Sequence, residues 1–128
     1  MIAAQLSKAP EPVPSADVID DDHLRRMTLG DRALEREVLE IFARQAALML
    51  RRIAGAEPAL AAAAAHTLKG SARGIGAWRV ALAAEQLEQA ASEPGGEALA
   101  AAIAKLEAAS VEARAAIGAR LGHPADKL

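Results

Sequence analysis

The chain has 128 residues, of which 52% are hydrophobic but only 2% aromatic, and it carries a formal net charge of −2. That length suits one domain with a real core, which must be built from Leu, Ile, Val and Ala. There is no positive excess to mark a nucleic-acid partner, no cysteine for disulfides or thiolate metal sites, and no apolar run near the ~18 residues of a membrane span.

Residues 1–16 carry Pro10, Pro12 and Pro14 and are expected to form a tail outside the fold. They lack the charged start and apolar stretch of a signal peptide, so a cytoplasmic location is expected. Asp20, Asp21 and Asp22 offer an N-cap and first-turn acids to a short helix through His23 and Leu29, stopped by Gly30. Asp31 caps a longer helix over 32–54, with Leu34, Val38, Ile41, Phe42, Gln45, Leu48, Met49 and Arg52 along one side. Gly55 ends it, and Pro58 suits the first turn of the next helix, which runs to about Arg73 and closes over 74–76. A further helix over 78–92 turns Val80, Leu82 and Leu87 inward and stops at Pro94-Gly95-Gly96. The last, over 97–120, presents Leu99, Ile103, Leu106, Val111 and Ile117, then ends at Gly122 and Pro124. No stretch reads as a strand. The expectation is an all-α fold: an antiparallel up-and-down four-helix bundle over 17–121, with the short first helix across one end and a tail over 122–128.

One segment breaks the smooth pattern. Residues 61–76 read AAAAAHTLKGSARGIG, placing a lone histidine and an interior glycine in an alanine helix. Glycine costs a helix interior roughly 1 kcal/mol relative to alanine, so Gly70 calls for a reason. At roughly 100° per residue, Leu60, Ala64, Leu68, Ser71 and Ile75 form one stripe, which reads as the core face. His66 then points outward, with Lys69 and Gly70 stacked beside it and Arg73 continuing the column. The result is an exposed imidazole with two cations in reach and no bulky neighbour.

His66-Thr67-Leu68-Lys69-Gly70-Ser71, followed by Gly76, resembles the signature of the histidine-containing phosphotransfer (HPt) family: His-x-x-Lys-Gly with a second glycine ten residues after the histidine. The resemblance extends to the Asp20–Asp22 opening, the Gly30-Asp31 turn and the Leu87-Glu88 region, and covers about 18–121. It implies a phosphoryl carrier of a multistep phosphorelay, with response-regulator receiver domains and a hybrid histidine kinase as partners. By position, His66 is then the phosphorylated residue, Lys69 steadies the phosphoryl oxygens, and Gly70 leaves room for the docking receiver. Gly76 matches the turn glycine. The polar residue of the next helix that assists the histidine falls at position 88. Glutamine is familiar there, whereas this chain has Glu88, with Gln86 and Gln89 close by. An anion at that place can orient the ring N–H but repels a phosphoryl group. The resemblance also leaves Mg²⁺ to the receiver, so no cofactor is expected here, and an open histidine face implies a monomer.

The residues support that chemistry independently. A neutral imidazole is a nucleophile at physiological pH. Phosphorylation adds close to two negative charges, which Lys69 and Arg73 are placed to meet through charge-assisted hydrogen bonds. Gly74-Ile75-Gly76 follows a helix instead of a strand, which fails the context of a nucleotide loop. His23 and His123 lack such company, and no histidine pair has metal-ligand spacing. A histidine-kinase dimerisation helix carries Glu directly after its histidine and a Pro soon afterwards, where this chain has Thr67 and no Pro between His66 and Pro94. The competing reading is a helical adaptor that binds a receiver or kinase without carrying phosphate.

Overall fold

A computed structural model describes residues 18–122. Among these residues the chain forms five helices and no strand: α1 (Asp21–Met27), α2 (Arg32–Ile53), α3 (Pro58–Ile75), α4 (Trp78–Ala90) and α5 (Glu97–Leu121). The expected tail over 1–16, His123 and Pro124 lie outside the described residues.

The helix starts follow local chemistry. Asp20 and Asp31 take extended backbone and accept from the amides of His23 and Leu34, both at 3.1 Å, satisfying donors that a helix start leaves orphaned. Pro58 opens α3, where its missing N–H costs nothing. The close of α3 requires glycine. Gly76 is left-handed at φ 82°, and a Cβ there would stand 2.9 Å from the Asp20 Cβ and 3.0 Å from the Asp20 carbonyl oxygen. The Asp20 amide donates to the Gly76 carbonyl at 3.0 Å, and Asp20 Oδ2 accepts from Trp78 Nε1 at 2.9 Å. One aspartate thus ties the start of α1 to the α3–α4 corner. Arg120 of α5 reaches the same end, bonding Asp21 and the Ile19 carbonyl.

α2 packs on α3 and α5, α4 packs on the same two helices, and α1 lies against α3. Phe42, Ile53, Leu68, Val80, Leu87, Leu106 and Ile117 are fully buried inside this ring. Each contributes roughly 1.5–3 kcal/mol by leaving water. Buried Ala43, Ala46, Ala61, Ala65, Ala72, Ala84 and Ala113 let the helix axes approach closely.

Several expected faces are turned. The inward stripe of α3 is Ala61, Ala65, Leu68, Ala72 and Ile75, whereas Leu60 is 66% exposed and Ala64 and Ser71 are only half-buried. In an alanine run both flanks of Leu68 are apolar, so periodicity cannot choose between them; close packing selects the flank with only alanines. On α2, Leu39, Ala43, Ala46 and Ile53 join Phe42 and Met49 inside, leaving Leu34, Ile41, Leu48 and Arg52 exposed. Apolar residues cover more of α2 than its neighbours can bury. Leu82 and Val111 are likewise exposed, because Ala81, Ala83 and Ala84 on α4 and Ser110 and Ala113 on α5 take the inward positions. His23 is not a free surface residue: its ring meets Trp78 edge-on at 4.8 Å, and its Nε2 is buried.

Candidate functional site

With Leu68 and Ala72 fixed inward, the helical turn carries His66 to the outer side of α3, where its side chain is 70% exposed. α4 lies alongside and sets Glu88 against it. His66 Nδ1–H donates to Glu88 Oε2 at 2.7 Å, and Lys69 Nζ stands 2.6 Å from the other oxygen, Oε1, as a charge pair. A carboxylate only accepts, so this contact places the proton of a neutral ring on Nδ1 and leaves the Nε2 lone pair free. Lys69, expected outward beside His66, is instead folded against α4 with its side chain only 15% exposed. Burial pushes the Glu88 carboxyl up, but the Lys69 ammonium and the His66 ring N–H outweigh it and hold it below the ordinary carboxylate range. Glu88 is therefore an anion at neutral pH.

Arg73 continues the column one turn on, but it too has an acidic neighbour: Nη2 lies 3.6 Å from Glu85 Oε1, both side chains being exposed. The two cations read from the sequence thus face two carboxylates from α4, and the four charges cancel. Glu85 was missing from the sequence reading; its position three residues before Glu88, on the same face of a helix, is the signal that finds it. Gln86 and Gln89 are exposed on other faces of α4, and it is Glu88 that holds the ring. Gly70 is exposed, and a Cβ there would meet nothing within 4 Å, so the space beside His66 is open. Gly76 does not join the site; it serves the corner with Asp20.

An apolar surface adjoins the histidine. A groove of about 480 Å³ between α2 and α3 is lined by Met49, Arg52, Ala56, Leu60, Ala63, Ala64 and Thr67, ending next to His66 in sequence. Further along the same helix pair, Leu34 and Val38 line a second groove with Gly74 and Ile75. Of the exposed α2 residues that were expected inside, Leu34 and Arg52 therefore border α3. Among the described residues no group of three His, Asp or Glu is arranged to hold a metal ion, and no helix is long and apolar enough to cross a membrane.

This arrangement can be set against known proteins. The crystal structure of a histidine-containing phosphotransfer protein from rice superposes with a TM-score of 0.73 at 18% identity, covering 94% of this chain and 86% of that one. No curated protein sequence matches the chain. The model of the Hpt domain family matches residues 32–116, a span that contains His66, Lys69, Gly70 and Glu88. A helical ring that exposes a histidine bonded to an acid which it shares with a lysine, matched over most of its length by that family, places the chain among the Hpt domains.

Proposed function

We propose that the chain is a phosphoryl carrier of a multistep phosphorelay, taking a phosphoryl group from an aspartate of one receiver domain onto His66 and passing it to an aspartate of another. One observation carries the reading: the His66 ring is exposed with Nδ1 engaged by Glu88, so Nε2 faces solvent as a lone pair beside the open space at Gly70. Transfer of this kind is mostly positioning and charge stabilisation. Nε2 attacks phosphorus in line, and the receiver's carboxylate leaves. Lys69, one turn from His66 and paired with Glu88, and Arg73, in its loose pair with Glu85, are the cations of this face available to meet the phosphoryl oxygens. The metal and its carboxylates belong to the receiver on this reading, and the carrier has no ATP-dependent kinase activity of its own.

The surface around the site supports a receiver as partner. Exposed Leu34 and Leu60 line the α2–α3 grooves, and Ile41 and Leu48 are also exposed on α2, which gives a docking protein apolar area on this side of the molecule. Short connections between successive members of the helix ring support an antiparallel up-and-down bundle. A monomer acting in the cytoplasm fits a histidine face that must stay open to successive partners.

Incubation with a phosphorylated receiver tests the reading. Wild type is expected to acquire acid-labile label and His66→Gln none; equal labelling of the two would overturn it.

A further inference from the structure

α2 carries apolar residues on two faces. Leu39, Phe42, Met49 and Ile53 pack into the core. A second row, Leu34, Val38, Ile41, Gln45, Leu48 and Arg52, advances in alternate steps of four and three residues. That is the spacing of a helix lying along another helix, and it runs almost the full length of α2. Among the described residues this row is left open: Leu34 is 38% exposed, Ile41 49% and Leu48 39%, while Val38 and Gln45 are half-buried. An exposed apolar row of such regularity marks an interface.

The charges beside the row fit a second copy of the chain, laid antiparallel. Glu37, Arg44 and Arg51 stand seven residues apart along one flank, all exposed. With the two helices centred on Ala43, Glu37 comes opposite Arg51 of the partner subunit, and the two-fold symmetry repeats that pair at the other end. Val38 then meets Leu48 of the partner subunit. Ile41 meets Gln45 of the partner subunit, a polar residue of the kind that fixes register. A parallel copy would instead set Glu37 and Arg44 over the partner's Phe42 and the partner's Met49, with no opposite charge in reach. Arg44 is the misfit of the antiparallel pair, since it meets its own counterpart at the symmetry axis. One pair of helices about 30 Å long also lies at the small end of specific interfaces, which begins at about 1,200 Å². Both features keep the pairing weak.

We propose that two copies of the chain pair through this face of α2 as a reversible antiparallel dimer. Resting on the carrier reading, the pairing also regulates the site. The second α2 lies along the grooves that Leu34 and Arg52 line against α3, where the receiver would dock. The dimer is then the idle form and the monomer the acting one.

Sedimentation of the whole chain, from micromolar to millimolar concentration, tests the pairing. Wild type is expected to shift from the mass of one chain toward that of two as concentration rises. Ile41→Asp should weaken the dimer about tenfold or more while melting like wild type. Glu37→Arg should weaken it about fivefold, and adding Arg51→Glu should restore it. Those two residues lie too far apart on one helix to meet except across copies, so the restoration reports the antiparallel contact alone. A single mass for wild type at every concentration overturns the proposal and leaves the face to the receiver. A dimer indifferent to Ile41→Asp, or a double charge reversal that fails to restore pairing, overturns it as well. His66→Gln is expected to pair like wild type, which tests the dimer apart from the carrier reading. Added receiver should lower the dimer fraction. A receiver bound equally by dimer and monomer overturns the idle form, and one that binds neither overturns the carrier reading alone.

Discussion

At the scale of single residues, the site is a histidine made directional by one acid and made approachable by one glycine. Gly70 sits in the interior of α3, where a Cβ would touch nothing, so packing inside the molecule does not require it. Gly70→Gln is therefore expected to raise thermal stability, by up to about 1 kcal/mol from helix propensity. The same variant should slow phosphoryl transfer about tenfold or more, because a side chain beside His66 displaces the docking receiver from attack geometry. Unaltered transfer, measured with the melting curve, would show that the space is not used. The outward placing of His66 and Gly70 was legible in the sequence because their spacing alone stacks them on one helix face, whereas the turn of Lys69 toward α4 was not. The contact of Glu88 with the ring was only half legible. Gln86, Glu88 and Gln89 point in different directions, and the rotation of α4 that decides between them is set by the burial of Val80, Ala84 and Leu87 against other helices.

At the scale of elements, helix ends were read well and helix faces less well. Caps and stops depend on adjacent residues: Asp20, Asp31, Pro58 and Gly76 act where the sequence places them. Which flank of an alanine-rich helix turns inward depends on partners far along the chain, and so Leu60 and Ile41 were expected inside and stand exposed. The Asp20 corner gives the clearest stability test. Trp78 Nε1 and then the His23 amide hold the Asp20 carboxyl below its usual range, outweighing burial. A lowered carboxyl contributes stability fully above the ordinary carboxylate range and loses it as pH falls through the lowered value. Asp20→Ala is thus expected to cost about 1–2 kcal/mol at neutral pH and to flatten the acid side of the stability curve, checked by denaturant melts across pH. Gly76→Ala should cost about 1–3 kcal/mol at the same corner, since it combines a left-handed backbone with contact against Asp20.

At the scale of the whole molecule, a ring of four helices holds α3 and α4 side by side, which is what brings His66 to Glu88 across 22 positions of sequence. The helical architecture was legible from periodicity and Gly/Pro punctuation, whereas the apolar strip that borders the histidine emerged only with the packing. If that strip receives the partner, Leu60→Asp should leave the melting temperature close to wild type, the residue being 66% exposed at the groove edge. It should weaken receiver binding about tenfold, measured by titration calorimetry. The most direct test of the central claim is nitrogen-resolved NMR of the chain after phosphorylation by a receiver. The account predicts a single phosphoryl group on Nε2 of His66, with the proton on Nδ1. A phosphoryl group on Nδ1, or on any other residue, would contradict it.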